Sequence, residues 1–387
     1  MRRFLLRPPV QLFSGLILFL LIPTNLPAQT KYFFYNDARA DALIRRGLSH
    51  SYNLEYTAAA KDWQELIAMY PDHPAGYVYR AALVWWEAVE DHEDKGLQER
   101  FERQNQEAID KAHAWLKSHP QDKLGLAYLA SAYGNKSRFD VTVTRSYLSA
   151  LRNGKKAFKY IEMAHELDKN FYDAYIGLGS YNYFTGALPG VIKPFAWLLG
   201  ARGDKNEGIN QLILASQKGE YAQTEAKIIL LSVYFNEKRW VDYERELEGL
   251  MASHPQNHVF YFWASNYYVG MKRWDRGIEE FRKLEKSINP ASSDDARESL
   301  AWLKYNLGRN YFAKQDWGGA LDALSAAEKV QPKTGILQAQ IALMKGNLLD
   351  ILGRRDEAVT LYQKVLELPD VDDSRGRARQ YLRSKYK

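Results

Sequence analysis

Small and bulky apolar residues recur along this chain at fixed offsets. Leu307-Gly308 is followed by Tyr311, then by Ala320, Leu324, Ala327 and Pro332. Gly346, Leu349, Ala358, Tyr362 and Val365 repeat the series, and Gly47, Ala59, Trp63, Leu66 and Pro71 carry it near the start. The steps counted from the glycine are 12, 4, 3 and 5 residues. Steps of 4 and 3 keep residues on one helical face, so each series predicts two helices joined by a turn. Gly308 and Ala320 are small where the two helices cross closely, Tyr311 and Leu324 fill the space between them, and Pro332 stops the second helix. One such pair cannot bury its apolar faces alone, so the pairs must stack.

These residues resemble the tetratricopeptide repeat family, whose units are helix pairs of about 34 residues. The small residue of the second helix can be followed through Ala59, Ala108, Ala157, Gly208, Tyr243, Gly277, Ala320 and Ala358, at intervals of 49, 49, 51, 35, 34, 43 and 38. The resemblance covers most of 40–370 and is strongest in 225–366. It implies an all-α fold, a right-handed superhelical solenoid of about eight tetratricopeptide-like helix-turn-helix units. Tyr243 stands where the family has a small residue, which argues against a close crossing there. The predicted organisation is a signal peptide at 1–28, expanded repeats at 29–203, compact repeats at 204–370 and a basic C-terminal capping helix at 371–387. Asp72-His73-Pro74, Ser118-His119-Pro120 and Ser253-His254-Pro255 each follow a second helix, where proline ends it.

Residues 1–28 read as a secretory signal, with Arg2, Arg3 and Arg7 ahead of an apolar run of 11 residues, 12–22. That run is short against the roughly 20 residues a bilayer span needs. The chain has no Cys, which excludes disulfides, thiolate metal sites and a Cys nucleophile. An exported protein, periplasmic or secreted and in reach of the outer membrane, is the expectation. The formal charge of +6 belongs to the ends of the chain: three Arg lie in the signal and six Lys and Arg lie from Arg375 onward. The body between them is close to neutral, which argues against a nucleic-acid-binding face.

No arrangement of residues points to catalysis, a metal or a cofactor. His254 and His258 are separated by Pro255 and do not share a helical face. His92-Glu93-Asp94 has no downstream partner at ligand spacing, and Asp294-Asp295 and Asp372-Asp373 read as acids at helix starts. No glycine-rich phosphate loop follows a strand.

Ten Trp, 26 Tyr and 16 Phe exceed what the crossings alone require, so some should line the concave groove that the family builds from one face of each first helix. Mapped on the clearest units, that face holds Phe262, Asn266, Trp302 and Tyr305. It continues through Arg309, Phe312, Leu343 and Asn347. Aromatic surface, an Arg and two amides suit an extended peptide, although the same residues serve equally to pack neighbouring units. The Lys-rich carboxylate clamp of the family's chaperone-binding members has no matching Lys here. The segment 186–206, broken by Pro189 and Pro194, reads as a plug, a lid or a membrane-touching loop, and the basic tail offers a second membrane contact; neither is a span. The expected function is noncatalytic binding of a protein or peptide partner in the cell envelope, as a scaffold that aids assembly of an envelope or secreted complex. A carbohydrate- or small-molecule-binding protein with an aromatic groove is the alternative.

Overall fold

A computed structural model describes residues 34–90, 94–188, 190 and 202–387. The signal-peptide reading, most of 186–206, and His92 and Glu93 lie outside them. The described residues form seventeen helices and no strand. Sixteen helices pair into eight hairpins. The first three are α1 (Ala38–Tyr52) with α2 (Tyr56–Met69), α3 (Ala75–Glu90) with α4 (Lys95–Ser118), and α5 (Lys123–Thr142) with α6 (Tyr147–Leu167). The fourth to sixth are α7 (Ala174–Gly186) with α8 (Lys205–Lys218), α9 (Gln223–Asn236) with α10 (Trp240–Ser253), and α11 (His258–Gly270) with α12 (Trp274–Glu285). The last two are α13 (Asp294–Lys314) with α14 (Trp317–Lys329), and α15 (Gly335–Ile351) with α16 (Arg355–Glu367), after which α17 (Ser374–Arg383) covers the end. Helices of 24, 20 and 21 residues (α4 to α6) precede helices of 12 to 14 residues (α8 to α12), and α13 lengthens again to 21.

The apolar spacing has a direct steric meaning. In three hairpins the glycine of the first helix receives the side chain four residues beyond the small residue of the second. A Cβ on Gly47 would lie 2.5 Å from the Trp63 ring, one on Gly308 2.9 Å from Leu324, and one on Gly346 2.7 Å from Tyr362. Ala59, Ala320 and Ala358 are fully buried beside these contacts. In the fourth hairpin backbone meets backbone: a Cβ on Gly208 would lie 2.4 Å from the Tyr183 amide nitrogen. Tyr243 is buried too, its ring 5.1 Å from Tyr267 and 6.0 Å from Phe235, so the fifth hairpin fills the place of a small residue with a ring.

The turn inside each compact hairpin is also repeated. Lys238, Lys272, Gln315 and Gly353 adopt left-handed φ of 55°, 55°, 64° and 76°. The next amide then bonds the carbonyl five residues back: Arg239 to Tyr234, Arg273 to Tyr268, Asp316 to Tyr311 and Arg354 to Leu349, at 2.8–2.9 Å. This left-handed closure satisfies carbonyls that the helix end leaves free. Helix starts are capped by Asp37, Asp94, Asp122, Asp204, Asn257, Ser293 and Asp316. Ser293 is therefore the cap, and Asp294 and Asp295 occupy the first turn behind it. Asp373 holds the cap position of α17 without a side-chain bond, and Asp370 accepts instead from the Arg375 amide.

The array also curls onto itself. Asn257 Nδ2 donates to the Tyr52 carbonyl at 2.8 Å, and the Gln256 amide reaches Asn53 Oδ1 at 3.4 Å. The Tyr221 hydroxyl donates to Asp41 at 2.6 Å, Arg45 pairs with Glu220 at 3.0 Å, and Arg138 pairs with Glu225. The Trp86 ring of α3 lies 6.4 Å from Phe260 of α11. One buried cluster accordingly contains Tyr52, Trp85, Trp86 and Phe101 together with apolar residues of α9 to α15.

Candidate functional site

Because the first hairpin sits against the turns before α9 and α11, the inner face of the early hairpins is occupied by the protein itself. The inner face of the last three hairpins is not. There α11, α13 and α15 enclose a cavity of about 340 Å³, and α17 with the loop before it forms the remaining wall.

Six residues read from the sequence as groove residues line this cavity: Phe262 and Asn266 from α11, Tyr305 and Arg309 from α13, Leu343 and Asn347 from α15. Each pair is spaced by one helical turn, which keeps it on one face. The other two do not line it. Trp302 stacks on His258 at 5.2 Å with the rings nearly parallel, and Phe312 packs against Trp317 at 5.4 Å and Tyr386 at 6.3 Å. Both join neighbouring segments. Gln340, Met344, Asp372, Ser374 and Arg377 also line the cavity and were not read as site residues. Gln340 extends the α15 stripe by one turn, so the helical period held a signal for it. Asp372, Ser374 and Arg377 reach the site only because α17 folds back.

The polar groups are held in place. The Arg309 guanidinium lies over the Phe262 ring at 5.2 Å and donates to Asn266 Oδ1 at 2.6 Å and Asn306 Oδ1 at 3.1 Å. Arg377 donates to the Asp372 carbonyl at 2.7 Å. Among the described residues neither guanidinium forms an ion pair with a carboxylate, although Asp372 contributes a negative charge to the same wall. The Tyr362 hydroxyl lies 3.1 Å from Asn347 Oδ1 and 3.0 Å from Asp350 Oδ2, so its one proton is shared between the two, and the Asn347 amide nitrogen keeps its own donors. Burial pushes the Tyr305 phenol up, against the pull of Arg309 and Arg377, so it remains a neutral hydroxyl. The buried Asp350 carboxylate fixes the wall: it accepts from Arg355, from Tyr362 and from the Tyr386 amide, while Arg355 also donates to the Tyr381 and Leu382 carbonyls at the end of α17. The basic tail is thus bound to the last hairpin, with Ala378 buried against it.

The residues weighed for chemistry fall elsewhere. His254 packs on Tyr52 at 5.4 Å while His258 stacks on Trp302, so the two face different partners. Burial holds His254 and His73 down to about 4, keeping both imidazoles neutral. His73 Nδ1 accepts from the Ala75 amide at 3.2 Å and its ring sits among Phe34, Tyr35, Trp115 and Tyr128. Among the described residues no group of three or more His, Cys, Asp and Glu is placed to hold a metal ion. Asp94 caps α4 through the Gly96 and Leu97 amides.

The family model described as tetratricopeptide repeat matches residues 41–73, which span most of α1, all of α2 and the turn after it. The chain thus carries a tetratricopeptide repeat, and that repeat heads a stack of helical hairpins. No curated protein matches the sequence. Among solved structures, yeast Tom70 is similar over 87% of this chain and 86% of its own, with 12% identity and a TM-score of 0.36. The C-terminal part of a tetratricopeptide repeat-containing protein from Cytophaga hutchinsonii is similar over 76% of this chain and 95% of its own, with 14% identity and a TM-score of 0.38. A tetratricopeptide repeat protein from Parabacteroides merdae is similar over 78% of this chain and 97% of its own, at 14% identity and a TM-score of 0.29.

Proposed function

We propose that this protein is a noncatalytic scaffold that binds a protein partner through an extended, acidic peptide segment seated in the cavity of the last three hairpins. The observation that carries this reading is the pair of guanidinium groups, Arg309 and Arg377, held in one cavity whose lining has Asp372 as its one acid and forming no ion pair among the described residues. A peptide carboxylate completes both, and a desolvated charge-assisted bond to Arg is stronger than a neutral one. The Asn266 and Asn347 amides are placed to bond peptide backbone, and Leu343 and Met344 supply an apolar floor. The signal-like leader supports an envelope location for this binding.

The carbohydrate reading requires free aromatic faces for sugar rings. Phe262 has a guanidinium over it, Trp302 has an imidazole stacked on it, and Tyr305 is buried. That favours the peptide. The test is binding of an immobilised library of short peptides to the full chain and to Arg309→Gln. The proposal requires acidic peptides to be selected and their binding to fall in the variant; selection without regard to charge, or unchanged binding in the variant, contradicts it.

A further inference from the structure

We infer that the edge of the stack formed by the turns inside the hairpins docks on an anionic lipid bilayer surface. Each hairpin reverses the chain once within itself and once on leaving it, so the turns inside hairpins share one edge and the linking turns share the other. The two edges differ in chemistry. Most of the large apolar side chains exposed among the described residues stand at the inside turns: Val141, Tyr147 and Leu148 at the third, Phe235 and Val241 at the fifth, Met271 at the sixth. Val241 is 80% exposed, Leu148 72%, Tyr147 66% and Phe235 55%. They stand at helix ends.

Cations accompany them. Arg145, Lys238 and Lys272 occupy the left-handed turn positions themselves, are exposed, and form no ion pair among the described residues. Indoles lie just behind: Trp240, Trp274 and Trp317 each open the second helix and are partly buried. At the fifth and sixth hairpins the surface is continuous, because Phe235 packs on Trp240 at 5.6 Å and Tyr267 touches Trp240 at 6.3 Å while accepting from Arg273 at 3.2 Å. Acids stand on both edges but are differently engaged: on the inside edge Asp94, Asp204 and Asp316 cap helices and Glu237 pairs with Lys205, whereas the linking edge carries Asp72, Asp122, Asp168, Glu220 and Asp370 beside Lys169, Lys286 and Lys333, with Phe171 and Ile288 buried.

A bilayer fits this pattern better than a protein. Protruding apolar tips enter the acyl boundary, aromatic rings lie at headgroup level, and Lys and Arg meet lipid phosphate. Lys is depleted in protein–protein interfaces, where apolar residues converge on pockets. Among the described residues no helix is long and apolar enough to cross a membrane.

The experiment is vesicle flotation of the full-length chain with phosphatidylglycerol-rich and pure phosphatidylcholine vesicles. Residues 12–22 contribute equally to every variant, so the readout is the difference between variants. Binding to phosphatidylglycerol should fall about twentyfold or more in Lys238→Glu/Lys272→Glu, at roughly fivefold for each cation lost, and should also fall in Val241→Glu/Leu148→Glu. Lys286→Glu, a charge reversal in a linking turn, should leave it unchanged. Circular dichroism checks that each variant folds. Equal binding to both vesicle types, a loss in Lys286→Glu matching that of the double reversal, or a dimer in solution that Val241→Glu dissolves without any vesicle binding each overturns the inference.

Discussion

The inner faces of the first hairpins and of the last three are built from the same kind of helix and end in different states. In the first region Tyr52, Asn53 and Trp86 meet Asn257, Gln256 and Phe260, and the hollow side of the superhelix is spent on self-contact. In the second, Phe262, Arg309 and Asn347 face a cavity that the chain only borders. The difference teaches that a helical-repeat fold does not by itself supply a groove. Curvature decides how much inner surface remains, and here the first hairpin meets the turns before α9 and α11.

The largest expected effect lies at the close helix crossings. Trp63→Ala removes a fully buried ring from its seat on Gly47 and should cost about 3–5 kcal/mol in denaturant unfolding. Next is acid. His73 and His254 are held near 4 in the folded protein, below the ordinary value of about 6.5 in the unfolded chain. Between those limits the unfolded state binds more protons, so stability is lost as pH falls from about 6.5 toward 4, on the order of 2–3 kcal/mol for each His. His73 and His254 both lie on the closed side of the comparison, and a His254→Phe variant should flatten the profile measured by urea titration. Smaller again is Asn257→Ala, which removes both a helix cap and the bond to the Tyr52 carbonyl: about 1–2 kcal/mol, with faster amide exchange in α1 than in α15. Arg309→Gln should change stability by about 1 kcal/mol or less, because its side chain bonds amides and covers the Phe262 ring at a partly exposed position, while peptide binding falls.

The hairpins were legible in the sequence because a glycine, a small residue and a large one at fixed steps are the direct record of a close crossing. Six cavity residues were legible for a related reason: a stripe with helical period reports which face of a first helix points inward. The same stripe does not say whether that face meets solvent or the next hairpin. Trp302 and Phe312 were therefore read with the others and instead stack on His258 and Trp317. Arg377 and Asp372 were illegible because their place depends on Arg355 and Asp350 binding the end of α17, a tertiary arrangement with no local signature. The closure was hidden more deeply. Asp41 and Tyr221 are 180 residues apart, and neither differs in type from an ordinary surface residue.

The most direct test of a closed early face and an open late one joins Asn53→Cys to Gln256→Cys with a short bis-maleimide, since the chain carries no other cysteine. The account predicts rapid and near-complete intramolecular linkage in the native protein, abolished by denaturant, with acidic-peptide binding retained after linkage. Native protein that links no faster than denatured chain, or that loses peptide binding once linked, would contradict it.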